Sequence, residues 1–177
     1  EYFQRSAELG NDTAMLNLGL LYFNGELVNR DYQVAFRYFN NAATKFNGKS
    51  LNMLGYYYEV GLLGNQDISK AIECYKKSYE NNFVKAAYNC ARFFENGIGV
   101  PTNYEEAFKL YKIAADADIP FALLKVSDCY SKGMGTERDL NKSCEASKRF
   151  NNKGIMYPTF GGAFSTFNCR NLDDPIL

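Results

Sequence analysis

Apolar residues along this chain fall in short stripes at helical spacing, and glycine cuts each stripe off. Between residues 12 and 48, Ala14, Leu18, Gly19, Leu21 and Tyr22 recur at intervals of three, four and seven. That spacing is one face of a helix. Gly25 follows the last periodic residue, where a left-handed C-terminal cap is wanted and only glycine avoids a Cβ penalty. Residues 26–30 form a short loop. Asp31 then stands as the N-cap of a second helix, whose buried stripe is Ala35, Phe39, Ala42 and Ala43. The unit is a helical hairpin.

The hairpin recurs. Gly25, Gly61, Gly97 and Gly133 lie at a constant interval of 36 residues. Tyr22, Tyr58, Phe94 and Tyr130 keep an aromatic place before each glycine, and Gly19, Gly55, Ala91 and Ser127 keep a small one. Ala35, Ala71, Ala107 and Ser143 keep another small place after it, which lets the two helices approach closely. Asp67, Asn103 and Asp139 take the N-cap place of Asp31, and Asn103 with Glu106 has capping-box spacing. A fixed period in this range means stacked repeats, so the fold class is all-α: an α-α superhelix, or solenoid, of helix hairpins.

The array spans residues 1–156, with units at 12–48, 49–83, 84–119 and 120–156. Tyr2, Phe3, Ala7 and Gly10 match the end of a preceding second helix, so the chain reads as a fragment that enters mid-repeat. In the fourth unit Cys144, Ala146 and Ser147 replace the larger Phe36, Tyr38 and Phe39. This suits a terminal repeat with one side in water. Residues 157–177 drop out of phase and read as a degenerate C-terminal cap or extension. Leu62, Leu63, Ile98 and Met134, beside the loops, are expected to tuck under the neighbouring repeat.

These motifs resemble a known family. Ala14, Leu18, Gly19, Tyr22, Gly25, Asp31, Ala35, Phe39, Ala42 and Ala43 follow the pattern of the Sel-one-like repeat, a longer-looped relative of the tetratricopeptide repeat. The third unit adds the family's loop in Gly97, Gly99, Val100 and Pro101. The resemblance implies a right-handed superhelix of antiparallel helix pairs and a role as scaffold or adaptor in protein complexes. It also implies that first helices line the concave face.

Composition narrows the chemistry. The 20 Lys and Arg balance the 20 Asp and Glu, so nothing here favours a nucleic-acid partner. No apolar run approaches a membrane span, and membrane insertion is not expected. The absence of histidine excludes a Ser-His-Asp triad or an HExxH zinc site within this chain. Five cysteines at scattered spacing contain no CxxC and read as buried thiols. Cys129 and Cys144 lie on facing helices of one hairpin, the one place where a disulfide is weighed. Two glycosylation sequons, Asn11-Asp12-Thr13 and Asn141-Lys142-Ser143, arise readily by chance in an Asn-rich chain. A cytoplasmic or organellar setting is therefore favoured over the endoplasmic-reticulum lumen. No phosphate-binding glycine motif, catalytic residue, cofactor, metal or small-molecule substrate is expected.

The partner is expected to be a protein, either a peptide or helix in the groove or the body of a large complex. First-helix positions not needed for core supply the concave-face candidates: Leu16, Leu20, Asn52, Met53, Tyr56, Tyr88, Asn89, Arg92, Leu124, Lys125 and Asp128. Aromatic and Arg side chains are anchor types, and Asn offers hydrogen bonds to a peptide backbone. The alternatives are a fixed accessory subunit of an assembly, or a regulatory repeat domain joined to an enzyme in a longer chain.

Overall fold

The computed structural model describes residues 2–153. Among them are nine helices: α1 (Tyr2–Glu8), α2 (Asp12–Asn24), α3 (Tyr32–Ala43), α4 (Gly48–Val60), α5 (Ile68–Glu80), α6 (Lys85–Asn96), α7 (Tyr104–Asp116), α8 (Pro120–Lys132) and α9 (Leu140–Asn151). Hairpins α2–α3, α4–α5, α6–α7 and α8–α9 stack in chain order, and α1 packs on α2 as the second helix of a preceding unit. The tail at 157–177 lies outside the described residues.

The loop chemistry is the same in every unit. Gly25, Gly61, Gly97 and Gly133 take φ of 75°, 68°, 65° and 71° at the ends of the first helices. Asp31, Asp67, Asn103 and Asp139 each accept a backbone N–H three residues on, at 2.9 to 3.0 Å. Their own N–H groups donate to the carbonyls of Tyr22, Tyr58, Phe94 and Tyr130 at 2.9 Å. The last bond corrects the capping-box expectation. The Asn103 N–H is already occupied by the Phe94 carbonyl, and the Glu106 carboxylate lies beside Lys109 instead, at 3.7 Å.

A second left-handed series keeps the same interval. Gly10, Phe46, Asn82 and Asp118 take φ of 85°, 60°, 65° and 59° at the turns between hairpins. Only one of the four is glycine, so no glycine rhythm marks them in the sequence.

An inner helix of a stack has neighbours on both sides and buries two stripes. Ala14 and Leu18 of α2 pack toward Ala7 of α1, while Leu16 joins Ala35, Phe39, Leu54 and Tyr57. The small residues at 19 and 55 follow from this closeness. A Cβ on Gly19 would lie 2.5 Å from the Phe39 ring, and one on Gly55 would lie 2.7 Å from the Tyr75 ring.

Three expectations need correction. Cys144, Ala146 and Ser147 are buried rather than facing water. The hydroxyl of Ser127 lies 2.9 Å from that of Ser143 and 2.7 Å from that of Ser147. A hydrogen-bonded serine cluster thus fills the place of the aromatic rings. Among the loop residues, Leu62 and Met134 pack on the core, whereas Leu63 and Ile98 stay exposed. Cys144 is disulfide-bonded. Cys129 keeps a free thiol, so the two do not pair, and the reading of every cysteine as a thiol fails at Cys144. Burial pushes the thiols of Cys74, Cys90 and Cys129 up to about 11, which holds them protonated at neutral pH.

Candidate partner-binding cleft

The first helices α2, α4 and α6 wall an open cleft of about 540 Å³, with Tyr75 of α5 at its base. Asn52, Met53, Tyr56 and Glu59 come from one face of α4, spaced three and four apart. Asn89 and Arg92 come from the matching face of α6, and Phe23 from α2. Phe23 anchors the apolar end. Its ring lies 5.5 Å from Tyr32, 6.1 Å from Tyr56 and 5.9 Å from Tyr57, an aromatic cluster that joins the first two hairpins.

The polar end is built across repeats. The Tyr75 hydroxyl donates to Glu59 Oε2 at 2.6 Å, and Arg92 Nη2 donates to Glu59 Oε1 at 3.0 Å. Asn89 Nδ2 donates to Asn52 Oδ1 at 3.0 Å. One repeat later the Tyr111 hydroxyl donates to Glu95 Oε2 at 2.6 Å, and Lys125 Nζ sits 2.8 Å from both Glu95 oxygens. Lys125 also lies over the Tyr111 ring, 5.8 Å from its centroid. Burial, then the bonded carboxylate, drives both tyrosine hydroxyls far above their ordinary range, so they act as fixed donors.

Glu59 and Glu95 were missed in reading the sequence, yet a signal is present. Tyr75 and Tyr111 each have Glu sixteen residues earlier. Phe39, with no hydroxyl to satisfy, has Phe23 at the same offset. A buried phenol requires an acceptor, and a buried phenyl requires an apolar neighbour.

The structure sorts the other candidates. Asn52, Met53, Tyr56, Asn89 and Arg92 come together in the cleft. Leu16 is core, only 5% exposed, and drops out. Leu20 and Leu124 are half-buried against the core clusters. Tyr88 packs between the tilted rings of Tyr111 and Phe121, at centroid distances of 5.5 and 6.2 Å. Arg92 is not the free anchor expected, because it is paired with Glu59 of the preceding repeat, and Lys125 is likewise paired with Glu95. Asp128 faces Lys132 at 4.0 Å on its own helix. A larger hollow, about 690 Å³, lies between loops near Gly133 and Gly135, and Tyr104 is its single aromatic lining residue. It offers less to a side chain than the cleft does.

Among the described residues no helix is long and apolar enough to cross a membrane, and no group of three metal-ligating side chains gathers.

Comparison with known proteins agrees with this architecture. The Sel1 repeat model matches residues 1–11, 12–45, 48–83, 84–119 and 120–145. No curated protein matches the chain. A Sel1 repeat protein from Oxalobacter formigenes superposes with a TM-score of 0.83 at 24% identity, over 87% of this chain and 63% of that one. A protective antigen of uropathogenic Escherichia coli displaying an SLR fold gives 0.83 at 27%, over 87% of this chain and 33% of its own. Cysteine rich protein B of Helicobacter pylori gives 0.52 at 16%, over 68% and 91%. The chain thus spans less than two thirds of the first two structures.

Proposed function

The chain belongs to the Sel1 repeat family, commonly protein-interaction scaffolds, and we propose that it binds a peptide segment of a partner protein in this cleft. The observation that carries the reading is the pairing of an open aromatic wall with unsatisfied amide capacity. Tyr56 is 41% exposed beside Met53 and Phe23. The mutual Asn52–Asn89 bond leaves one amide N–H₂ and one amide carbonyl for a ligand. A peptide group needs one acceptor and one donor in return, and a large apolar side chain on the segment would seat against the rings. Family members are typically non-catalytic scaffolds.

The structure also dictates the variant to use. Reversing Arg92 would set two carboxylates against each other at Glu59 and confound binding with folding. Tyr56→Ala removes the exposed wall and one ring contact to Phe23, so its melt is first matched to the parent's. Random peptides displayed on phage are selected on the full chain, and the selected peptides are titrated against parent, Tyr56→Ala and Ile113→Ala, an exposed α7 control. Loss with Tyr56→Ala alone supports the cleft. Peptides that bind all three equally overturn it.

A further inference from the structure

We infer that the segment taken by this cleft is acidic, an inference that rests on the peptide-binding reading above. The chain as a whole is neutral. Its cleft-facing stripe is not. The matching faces of α4 and α6, two of the helices that wall the cleft, and of α8 beyond them carry Lys49, Lys85, Arg92, Lys125 and Lys132 against Glu59, Glu95 and Asp128. Each carboxylate already has its own cation: Glu59 has Arg92, Glu95 has Lys125 and Asp128 has Lys132. Lys49 and Lys85 have no carboxylate among the described residues. The surplus on this face is therefore positive.

Position strengthens the argument. Lys49 and Lys85 are exposed and occupy equivalent places in the first turns of α4 and α6. One turn on come Asn52 and Met53, and Tyr88 and Asn89, so each lysine shares a helix face with residues that line the cleft. A first-turn lysine opposes the helix macrodipole, and acidic residues are the usual choice there. The two lysines and the two helix N-termini add positive charge here, and against it stands Asp12, whose carboxylate accepts from Asn47 Nδ2 at the α4 N-cap, at 2.8 Å. The first and fourth hairpins have Thr13 and Phe121 at this place, so the charge falls on two of the three hairpins that line the cleft. Arg92 adds a guanidinium that is 40% exposed and gives one N–H to Glu59. An acidic segment meets the two unpaired ammonium groups, while a basic one is repelled by them.

The peptides selected on the full chain provide the test. They are sequenced, then titrated at low and high salt against Lys49→Glu/Lys85→Glu and against Lys76→Glu/Lys148→Glu. The second pair makes the same net charge change at exposed, equivalent places on α5 and α9. Acidic side chains in a first turn favour the helix, so the rim variant is expected to melt no lower than the parent. The expected result is enrichment of Asp and Glu, affinity about tenfold weaker in the rim variant, and no change in the control. Affinity also falls as salt rises. Tyr56-dependent peptides without acidic enrichment, bound equally by both double variants, overturn the inference and leave the cleft reading intact. Peptides indifferent to Tyr56→Ala overturn the cleft reading itself. A single-stranded oligonucleotide that displaces the peptides and depends on Lys49 and Lys85 overturns the inference in favour of nucleic acid.

Discussion

Replacing Tyr75 with Phe and Glu59 with Phe should each destabilise the chain, while making both changes should largely restore it. Tyr75 is 1% exposed, and its hydroxyl donates 2.6 Å to a carboxylate oxygen. A hydrogen bond to a charged group contributes about 1.5–3 kcal/mol, so Tyr75→Phe should cost about 2 kcal/mol. Glu59→Phe removes the acceptor and strands a buried phenol, again at about 2 kcal/mol. Arg92, left without its partner, is exposed enough to hydrate, and loss of such a pair costs at most about 1 kcal/mol. The double variant copies the first hairpin, where Phe23 and Phe39 meet at 6.4 Å with no polar group to satisfy. Its cost should be about 1 kcal/mol, against about 4 kcal/mol for independent changes. Urea unfolding followed by far-ultraviolet circular dichroism gives the cycle. Amide hydrogen exchange in α5 checks it locally, since stacked repeats need not unfold as one. A double variant as unstable as the sum of the singles, within about 0.5 kcal/mol, would refute the idea that phenol and carboxylate are one unit.

Other outcomes follow from the same structure. Leu27 is 96% exposed at φ 63°, where the third and fourth units have Gly99 and Gly135 at φ 71° and 70°. Leu27→Gly should gain about 0.5–1 kcal/mol, net of the added chain entropy, and raise the melting temperature by about 2 °C. Ser50 is fully buried with no partner for its hydroxyl, at a place held elsewhere by Ala14, Ala86 and Ala122. Ser50→Ala should stabilise by about 1 kcal/mol in urea melts, and a loss would mean that the hydroxyl has a partner after all. Asp67 is held below the ordinary carboxylate range by Lys70, Asp118 by Arg149 and Lys153, and Asp139 by the Lys142 backbone N–H and ammonium group. Their contribution is complete above about pH 4 and is lost as pH falls through their lowered values, so the urea midpoint should be flat near neutrality and drop below about pH 4. A midpoint that rises on acidification would contradict those three pairings.

The sequence by itself determined the architecture. The glycine caps, the aspartate and asparagine N-caps and the small residues at helix crossings are local requirements of backbone geometry, and a local requirement repeated every 36 residues can be read without knowing what it touches. Tertiary structure decided what lies between repeats. Leu16 looked like a groove residue because one helix shows one stripe, but a stacked helix has two neighbours and buries two. Arg92 looked like a free anchor because Glu59 sits 33 residues away, on the preceding helix pair. The left-handed turns at Phe46, Asn82 and Asp118 carry no shared residue type, since the turn is imposed by how one hairpin must land on the next. Cys144 pairs with neither Cys129 nor any other free thiol among the described residues, although Cys129 lies on the facing helix of its hairpin. Repetition writes the shape of a unit into the chain, whereas the charge and exposure of a cleft belong to the contact between units and exist only once they are stacked.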